Sequence, residues 1–592
     1  MRFAVWAPTP TRLRLRLRDE TLEMQRDAAR DGWWTVEAEA VHGDGYAFLL
    51  DDDPTPRPDP RSVWQPDGVD GLSKVFDPTR FDWTDGGWTG GVELADAVIY
   101  ELHIAAFGGT LDGCVDHLDA LVQLGVTHVE LMPVGTVGCE RNWGYDGNGS
   151  GWAAPHQPYG GPEALQRFVN AAHGKNLAII VDAVFNHVGP VGDSDALFGP
   201  YYAEGEGTQW GRAPDFVAHE PRERIIDCAL GYFEHFHVDA LRLDAVWELL
   251  GRDTTEPTLV KEMRSRLSEL ERRSAPRRMR LIAESGQVTP ALTRAVDQPG
   301  GCGLDAQWSD DVHHSIRTLL TGERFGFYSC VSALDGADRR CRYGTVACLA
   351  ETLRRGVYGD PGRVSKRDEN AETDKLPMRG EAIVGFIANH DQIGNRPRGN
   401  RLPALISQDL CRVAALLLLT GPFVPMIFMG QEWDASTNFA FFTSWSDPEL
   451  ARRISDGRRR DFERDGQDVD AMLDPNDPAT FELARLKWDE RETEPHRSTL
   501  FYYTALIDFR KREGLRAGDL PAEVRFDEDE RWIVYQRLPG LHIALNFSDA
   551  ERRAPVASRT ASVVFESREG CARCEDGHVV LAKESAAVLR VR

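Results

Sequence analysis

The sequence has few long apolar runs, few lysines and no clustered cations. The longest apolar run, Val413 to Leu419, is followed by Gly421, Pro422 and Pro425. It is too short and too broken to cross a bilayer and reads as buried core. Eight lysines stand against 61 arginines, and the formal net charge is −25, spread along the chain and not gathered in a tail. Binding to a phosphate backbone or an anionic membrane draws on clustered cations, so nucleic-acid and membrane-surface partners are disfavoured. Neutral ligands such as sugars fit this charge balance. No charged leader followed by an apolar stretch opens the chain, and no export is expected. The ten cysteines are scattered singly except for Cys571 and Cys574, a pattern expected of reduced thiols in a cytoplasmic protein. That lone CxxC has no second ligand pair and reads as a surface turn, not a zinc site. Asp182 and Asn186 alone do not build a calcium site, because no run of oxygen ligands follows them, so no metal and no cofactor are expected. Repeats and low-complexity tracts are also missing.

What is present divides into three textures. Residues 1–93 carry short alternating runs, Leu13-Arg14-Leu15-Arg16-Leu17 and Trp33-Trp34-Thr35-Val36-Glu37, cut by Pro, Asp and Gly, which predicts a small immunoglobulin-like β-sandwich. Residues 94–515 alternate apolar strand-like runs with amphipathic helical stretches. The predicted strands are Ala97 to Leu102, Thr127 to Met132, Leu177 to Val184, Val238 to Leu243, Arg280 to Ala283, Leu304 to Trp308, Ile383 to Ala388 and Phe423 to Met429. Helices are expected between them, among others at Cys114 to Leu124, Pro162 to His173, Arg224 to Phe236, Leu259 to Arg272 and Leu402 to Leu419, with a last one at Thr499 to Arg512. Eight strand–helix units predict a multidomain α/β protein around a (β/α)8 TIM barrel. In residues 516–592 the period returns to two, as in Leu541-His542-Ile543-Ala544-Leu545, and a closing β-sandwich is expected.

Chemistry in such a barrel sits at the carboxyl ends of the strands. Four ends are polar: Asp182 to His187 after strand three, Arg242 and Asp244 on strand four, Glu284 after strand five, and His390-Asp391-Gln392 after strand seven. Arg242 and Asp244 are two apart, so on a strand they face one side. Four carboxylates at one mouth repel one another unless a cation intervenes, and Arg242 is that cation. Asp244 is then expected to stay ionised, while Glu284, facing other carboxylates, is expected to keep its proton near neutrality. A proton donor beside an anionic nucleophile is the equipment of glycoside hydrolysis, with His187 and His390 gripping sugar hydroxyls.

At these residues the sequence resembles the α-amylase family of glycoside hydrolases (family 13): Asp182 to His187, Arg242 to Asp244, Glu284 and His390-Asp391 look like its four signature regions in order. The resemblance implies that Asp244 is the nucleophile, Glu284 the general acid/base, and Asp391 the residue that distorts the reacting sugar and stabilises the transition state. Longer strings, Arg141 to Gly147, Trp308 to His314, His390 to Arg396, Gly430-Gln431-Glu432-Trp433 and Pro58 to Ser62 with Gln65-Pro66, resemble the trehalose-releasing branch of that family. The implied reaction is retaining hydrolysis of the α-1,4 bond next to the terminal trehalose of maltooligosyltrehalose, with a maltooligosyltrehalose synthase as pathway partner. Retention predicts carboxyls about 5 to 5.5 Å apart. On this reading Tyr145 stacks on the sugar at the cleavage point, Trp308, Asp310, Asp311 and His313 hold the leaving trehalose, and Gln392, Asn395 and Arg396 read hydroxyls. Two other readings are open: a branching or debranching enzyme acting on α-glucan, and a catalytically dead glucan-binding protein.

Overall fold

The computed structural model describes the chain except residues 147–150, 193, 206, 209, 251–257, 287, 329–342, 358–377, 557–559 and 592. Gly147, which closes the Arg141 string, lies outside the described residues. Eight short strands close into a parallel barrel: β1 Ile99–Leu102, β2 His128–Leu131, β3 Ala178–Ala183, β4 Ala240–Leu243, β5 Arg280–Ala283, β6 Ala306–Trp308, β7 Ile383–Phe386 and β8 Val424–Phe428. Each pairs with the next in sequence, and β8 closes on β1. All eight predicted strands therefore form, each within its expected span. A parallel strand covered on both faces has no solvent side, so its sequence is a nearly unbroken apolar run, and β3 (AIIVDA) is buried at every residue.

Alternate residues then sort themselves. Ile99, Ile180, Ala240, Ile282, Ala306, Val384, Phe386 and Met426 fill the barrel interior. Tyr100, Val129, Ile179, Leu241 and Leu281 pack outward against the helices. Helices Gly161–His173, His219–Phe236, Thr258–Arg273, Gln408–Thr420 and His496–Arg512 supply that outer layer. The helix expected from Arg224 starts earlier, at His219, and two others differ more. The stretch predicted as Cys114 to Leu124 is two pieces, Leu111–Val115 and Leu118–Leu124, the first opened by the Thr110 hydroxyl accepting the Gly113 amide. The helix predicted from Leu402 begins at Gln408, because Ser407 caps it through the Leu410 amide and Pro403 sits in a separate 3-10 turn.

Antiparallel sheets flank the barrel. The first residues form a three-stranded sheet (Arg2–Trp6, Trp33–Glu37, Gln25–Arg26) and a four-stranded one (Glu20–Glu23, Leu13–Leu17, Gly45–Leu50, Ser73–Lys74). Leu13, Leu15 and Leu17 point into the core while Arg14 and Arg16 face outward, the alternation of a half-buried strand. Beyond the barrel, Val524–Asp527, Trp532–Leu538, Leu541–Asn546, Ser585–Val591 and Ala561–Glu566 pair into five strands, with a further three-stranded sheet of Arg552–Pro555, His578–Leu581 and Ala572–Glu575. No described helix is long and apolar enough to cross a membrane.

The segment 81–93 passes beneath the barrel, at the amino ends of its strands. Trp83 stacks on His237 with centroids 3.7 Å apart, and Trp88 on His173 at 4.4 Å. Asp85 accepts from both histidines at 2.8 Å, and Asp239, just before β4, accepts from His173 (2.9 Å), Trp88 (2.7 Å) and the Ile179 amide (2.8 Å). Gly90 has φ +92°, and a Cβ there would lie 2.4 Å from the Arg278 carbonyl oxygen, so only glycine lets the chain pass.

Candidate active site

The opposite, carboxyl end of the barrel gathers the polar strand ends. β3 and β4 run in register with Asp182 beside Arg242. Arg242 is fully buried, and its Nη1 lies 2.7 Å from both Asp182 oxygens and 2.7 Å from Asp244 Oδ1. Its Nη2 lies 3.9 Å from Glu284 Oε2. One guanidinium thus touches three carboxylates from three neighbouring strands, and the Trp308 ring lies against its face at 4.3 Å.

The surrounding groups engage each carboxylate differently. Asp244 Oδ2 accepts from the Asn186 amide at 2.7 Å, so both its oxygens are held by donors. Glu284 Oε2 accepts from the Ala245 backbone amide at 2.8 Å, a contact aimed by the left-handed conformation of Ala245 (φ 42°). Burial pushes Glu284 up to about 8; Arg242 opposes this, while Asp244, Asp310 and Asp391 add to it. Burial likewise raises Asp310 to about 7, with Asp391 adding and Arg242 opposing, and Asp182 to about 6 against Arg242. Asp391 is half exposed, accepts from Asn395 Nδ2 at 3.1 Å and lies 3.6 Å from His390 Nε2. His390 is buried, which disfavours its cation, yet Glu101 on β1 and Asp391 hold it charged, at about 9. Tyr145 stacks on His390 with centroids 5.0 Å apart and donates its hydroxyl to Asp182. His187 hydrogen-bonds the Asn186 side chain and faces Trp210, and burial lowers its pKa.

The structure therefore brings together Tyr145, Asp182, His187, Arg242, Asp244, Glu284, His390 and Asp391. Asp310 and Gln392 adjoin them through a 3.2 Å hydrogen bond. Other predicted residues stand elsewhere. Trp308 is 3 % exposed and lies under Arg242 as a floor, with no open face for a sugar. His313 is fully buried, stacked on Phe386 within helix Asp310–Thr321. Asp311 takes the Tyr343 hydroxyl, and Arg396 pairs with Glu323 at 2.7 Å. Asn395 reaches the site only through Asp391.

Sequence reasoning missed Glu101 as a site residue. It is a carboxylate inside an apolar strand, IYEL, and such a charge buried in a parallel strand signals a partner across the barrel. Asn186 was weighed only as a metal ligand, and its place is on Asp244. No group of three or more His, Cys, Asp or Glu among the described residues forms a metal cluster.

The chain is similar to known proteins along its whole length. The family described as "Alpha amylase, catalytic domain" matches residues 75–198, and the family "Domain of unknown function (DUF3459)" matches residues 517–588. A malto-oligosyltrehalose trehalohydrolase of Rhizobium sp. (strain M-11) is 39% identical over 100% of this chain and 97% of its own length. That of Mycobacterium tuberculosis is 38% identical over 99% of both chains. A crystal structure of a Salmonella typhimurium protein superimposes with TM-score 0.85 at 30% identity, covering 100% of this chain and 97% of the other. The full-length match in sequence, together with the closed barrel and its flanking sheets, shows that the chain belongs to the malto-oligosyltrehalose trehalohydrolases of the α-amylase family.

Proposed function

We propose that this protein releases trehalose from maltooligosyltrehalose by retaining hydrolysis of the adjoining α-1,4 bond. The observation that carries the reading is Arg242 touching Asp182, Asp244 and Glu284 at once, in a chain similar end to end to trehalohydrolases.

In the first step Asp244 attacks the anomeric carbon while Glu284 gives its proton to the bridging oxygen, and trehalose leaves with that proton. The glycosyl ester on Asp244 is then attacked by water, from which Glu284, now a carboxylate, takes a proton. Two inversions give net retention. Two features support this division of labour. The raised Glu284 carries a proton at pH 7, and Arg242 with Asn186 holds the Asp244 side chain in place for its attack. Asp391, half exposed beside cationic His390, suits a group that takes the hydroxyls of the distorted sugar. The Tyr145 ring suits an apolar sugar face and the positive charge that develops next to it.

We further take the chain as three units, 1–93, 94–515 and 516–592. Support comes from the absence of any named strand between Lys74 and Ile99, and from the last barrel helix ending at Arg512 before a new sheet opens at Val524. Cys114, Cys139, Cys228, Cys348, Cys411, Cys571 and Cys574 form no disulfide, which supports a cytoplasmic setting, and a maltooligosyltrehalose synthase would supply the substrate there. The test is product identification. Purified protein given maltooligosyltrehalose should release trehalose rapidly, and plain maltooligosaccharide should be a poor substrate. A changed iodine spectrum of amylose with no trehalose formed would instead make it a branching enzyme.

A further inference from the structure

The amino end of the barrel holds a cavity of about 440 Å³, inside the roughly 300–1,000 Å³ range of small-molecule sites. Two helix ends and the 81–93 segment build it. Phe233 and Glu234 lie in the last turn of helix His219–Phe236, Leu270 and Arg273 in the last turn of helix Thr258–Arg273, and Asp85, Gly86 and Trp88 come from the segment beneath. Helices of a (β/α)8 barrel end near the amino ends of the strands that follow them, so the cavity lies away from Asp244 and Glu284.

The polar groups that line it are held by neighbours and keep hydrogen-bonding capacity to spare. Asp85 takes both histidines on Oδ2, and its Oδ1 accepts from no donor among the described residues. His237, turned by its left-handed backbone (φ 54°), donates Nδ1 to Asp85 and leaves Nε2 open. Arg277 is nine-tenths buried; its Nη1 and Nη2 each give one N–H to a carbonyl, of Phe233 at 3.3 Å and of Val238 at 2.6 Å, and each keeps a second. Ser274 adds a hydroxyl, and Arg273 faces Glu234 at 3.5 Å, both of them exposed.

This lining selects its ligand. An anion would meet Asp85 and Glu234, a cation would meet Arg273 and Arg277, and the two pairs cancel in a chain whose formal net charge is −25. A spare acceptor on Asp85, spare donors on Arg277 and the Ser274 hydroxyl, set beside Trp88, Phe233 and Leu270, instead suit a neutral polyol. Its hydroxyls both give and accept hydrogen bonds, and its C–H faces lie against apolar side chains. We propose that this cavity is a second sugar site, which takes a glucosyl unit of free trehalose or of a maltooligosaccharide end at a place remote from the catalytic carboxylates. The sugar class rests on the lining, and only the choice of probes rests on the trehalose-releasing reading.

The test follows amide hydrogen exchange of the full chain by mass spectrometry with trehalose, maltotetraose or inorganic phosphate, in the native protein and in Gly86→Leu. Gly86 lines the cavity, its φ lies outside the left-handed region, and a Cβ there meets no atom within 4 Å, so leucine narrows the cavity without straining the backbone. At twice its dissociation constant a bound sugar should slow exchange in residues 84–89 and 273–278 about threefold in the native protein and leave it unchanged in Gly86→Leu. Slowing by trehalose alone identifies the free disaccharide as ligand, and slowing by maltotetraose identifies the glucan end. No slowing by either sugar, slowing by phosphate alone, or equal slowing in Gly86→Leu overturns the proposal. Absence of trehalose release from maltooligosyltrehalose by the native enzyme would overturn the functional reading and leave the exchange result standing.

Discussion

Both ends of the barrel bury charge, and they do so in opposite ways. At the amino end, Asp85, His173, Asp239 and His237 form a chain in which both His173 nitrogens meet a carboxylate, at 2.8 and 2.9 Å. Both ring nitrogens must donate, so His173 is a cation, and Asp85 and Asp239 are held below the usual carboxylate range despite burial. At the carboxyl end, Asp182, Asp244, Glu284, Asp310 and Asp391 share Arg242 and His390, too few cations for five carboxylates. Three of the five are raised to about 6, 7 and 8. Matched burial lowers a carboxylate pKa and locks structure; unmatched burial raises it and keeps a proton ready for transfer. The two ends share strands, so the difference lies in the count and placement of partners.

The sharpest break between the ends is in catalysis. Asp244→Ala and Glu284→Gln should each lower kcat on the order of 10⁴-fold or more while the fold persists. His173→Gln, at the other end, should leave kcat per folded molecule within about twofold; undiminished turnover in Asp244→Ala would end the nucleophile assignment.

Stability should show the reverse order. His173→Leu strands two buried carboxylates and should cost about 3–5 kcal/mol in denaturant unfolding. The contribution of His173 also has a pH window. Its folded pKa is raised, so its stabilisation is fully present below the ordinary histidine value and fades as pH rises through the folded value. Asp85 is lowered, so its stabilisation is present above the ordinary aspartate value and is lost as pH falls through its folded value. The stability gap between native and His173→Leu protein should accordingly be widest in mildly acidic solution and narrow on either side.

A finer contrast is the alkaline limb of activity. Glu284 must carry its proton to act as acid, so kcat/KM should fall above about pH 8. Asp310→Asn removes a negative neighbour, lowers the Glu284 pKa and should move that limb down by roughly half to one unit, read from the pH–rate profile. The smallest effect is expected at Trp83, whose removal to alanine loses the stack on His237 and should cost about 1 kcal/mol without moving the limb.

Much of this was legible before any coordinates. The eight strands stood out because a strand covered on both faces must be apolar throughout, and the site stood out because polar residues interrupt that pattern at corresponding ends. Helix starts were less legible, since Ser407 and Thr110 act as caps only once the backbone turns there. Trp308 read as a sugar platform because aromatic residues next to acids often are one, but a guanidinium from two strands away covers it. Glu101 was hidden inside an apolar strand, its partner His390 lying 289 residues further on.

The sequence by itself determined the alternation of strand and helix and the two-residue spacing that turns Arg242 and Asp244 to one side, because those follow from local backbone geometry. Only the tertiary structure decided how far the Glu284 pKa rises, and that Asp310 and Asp182 are raised with it. That outcome depends on how deeply Glu284 is buried and on which charges from β4 and from the ends of β6 and β7 lie near it, and spacing along the chain does not encode those distances.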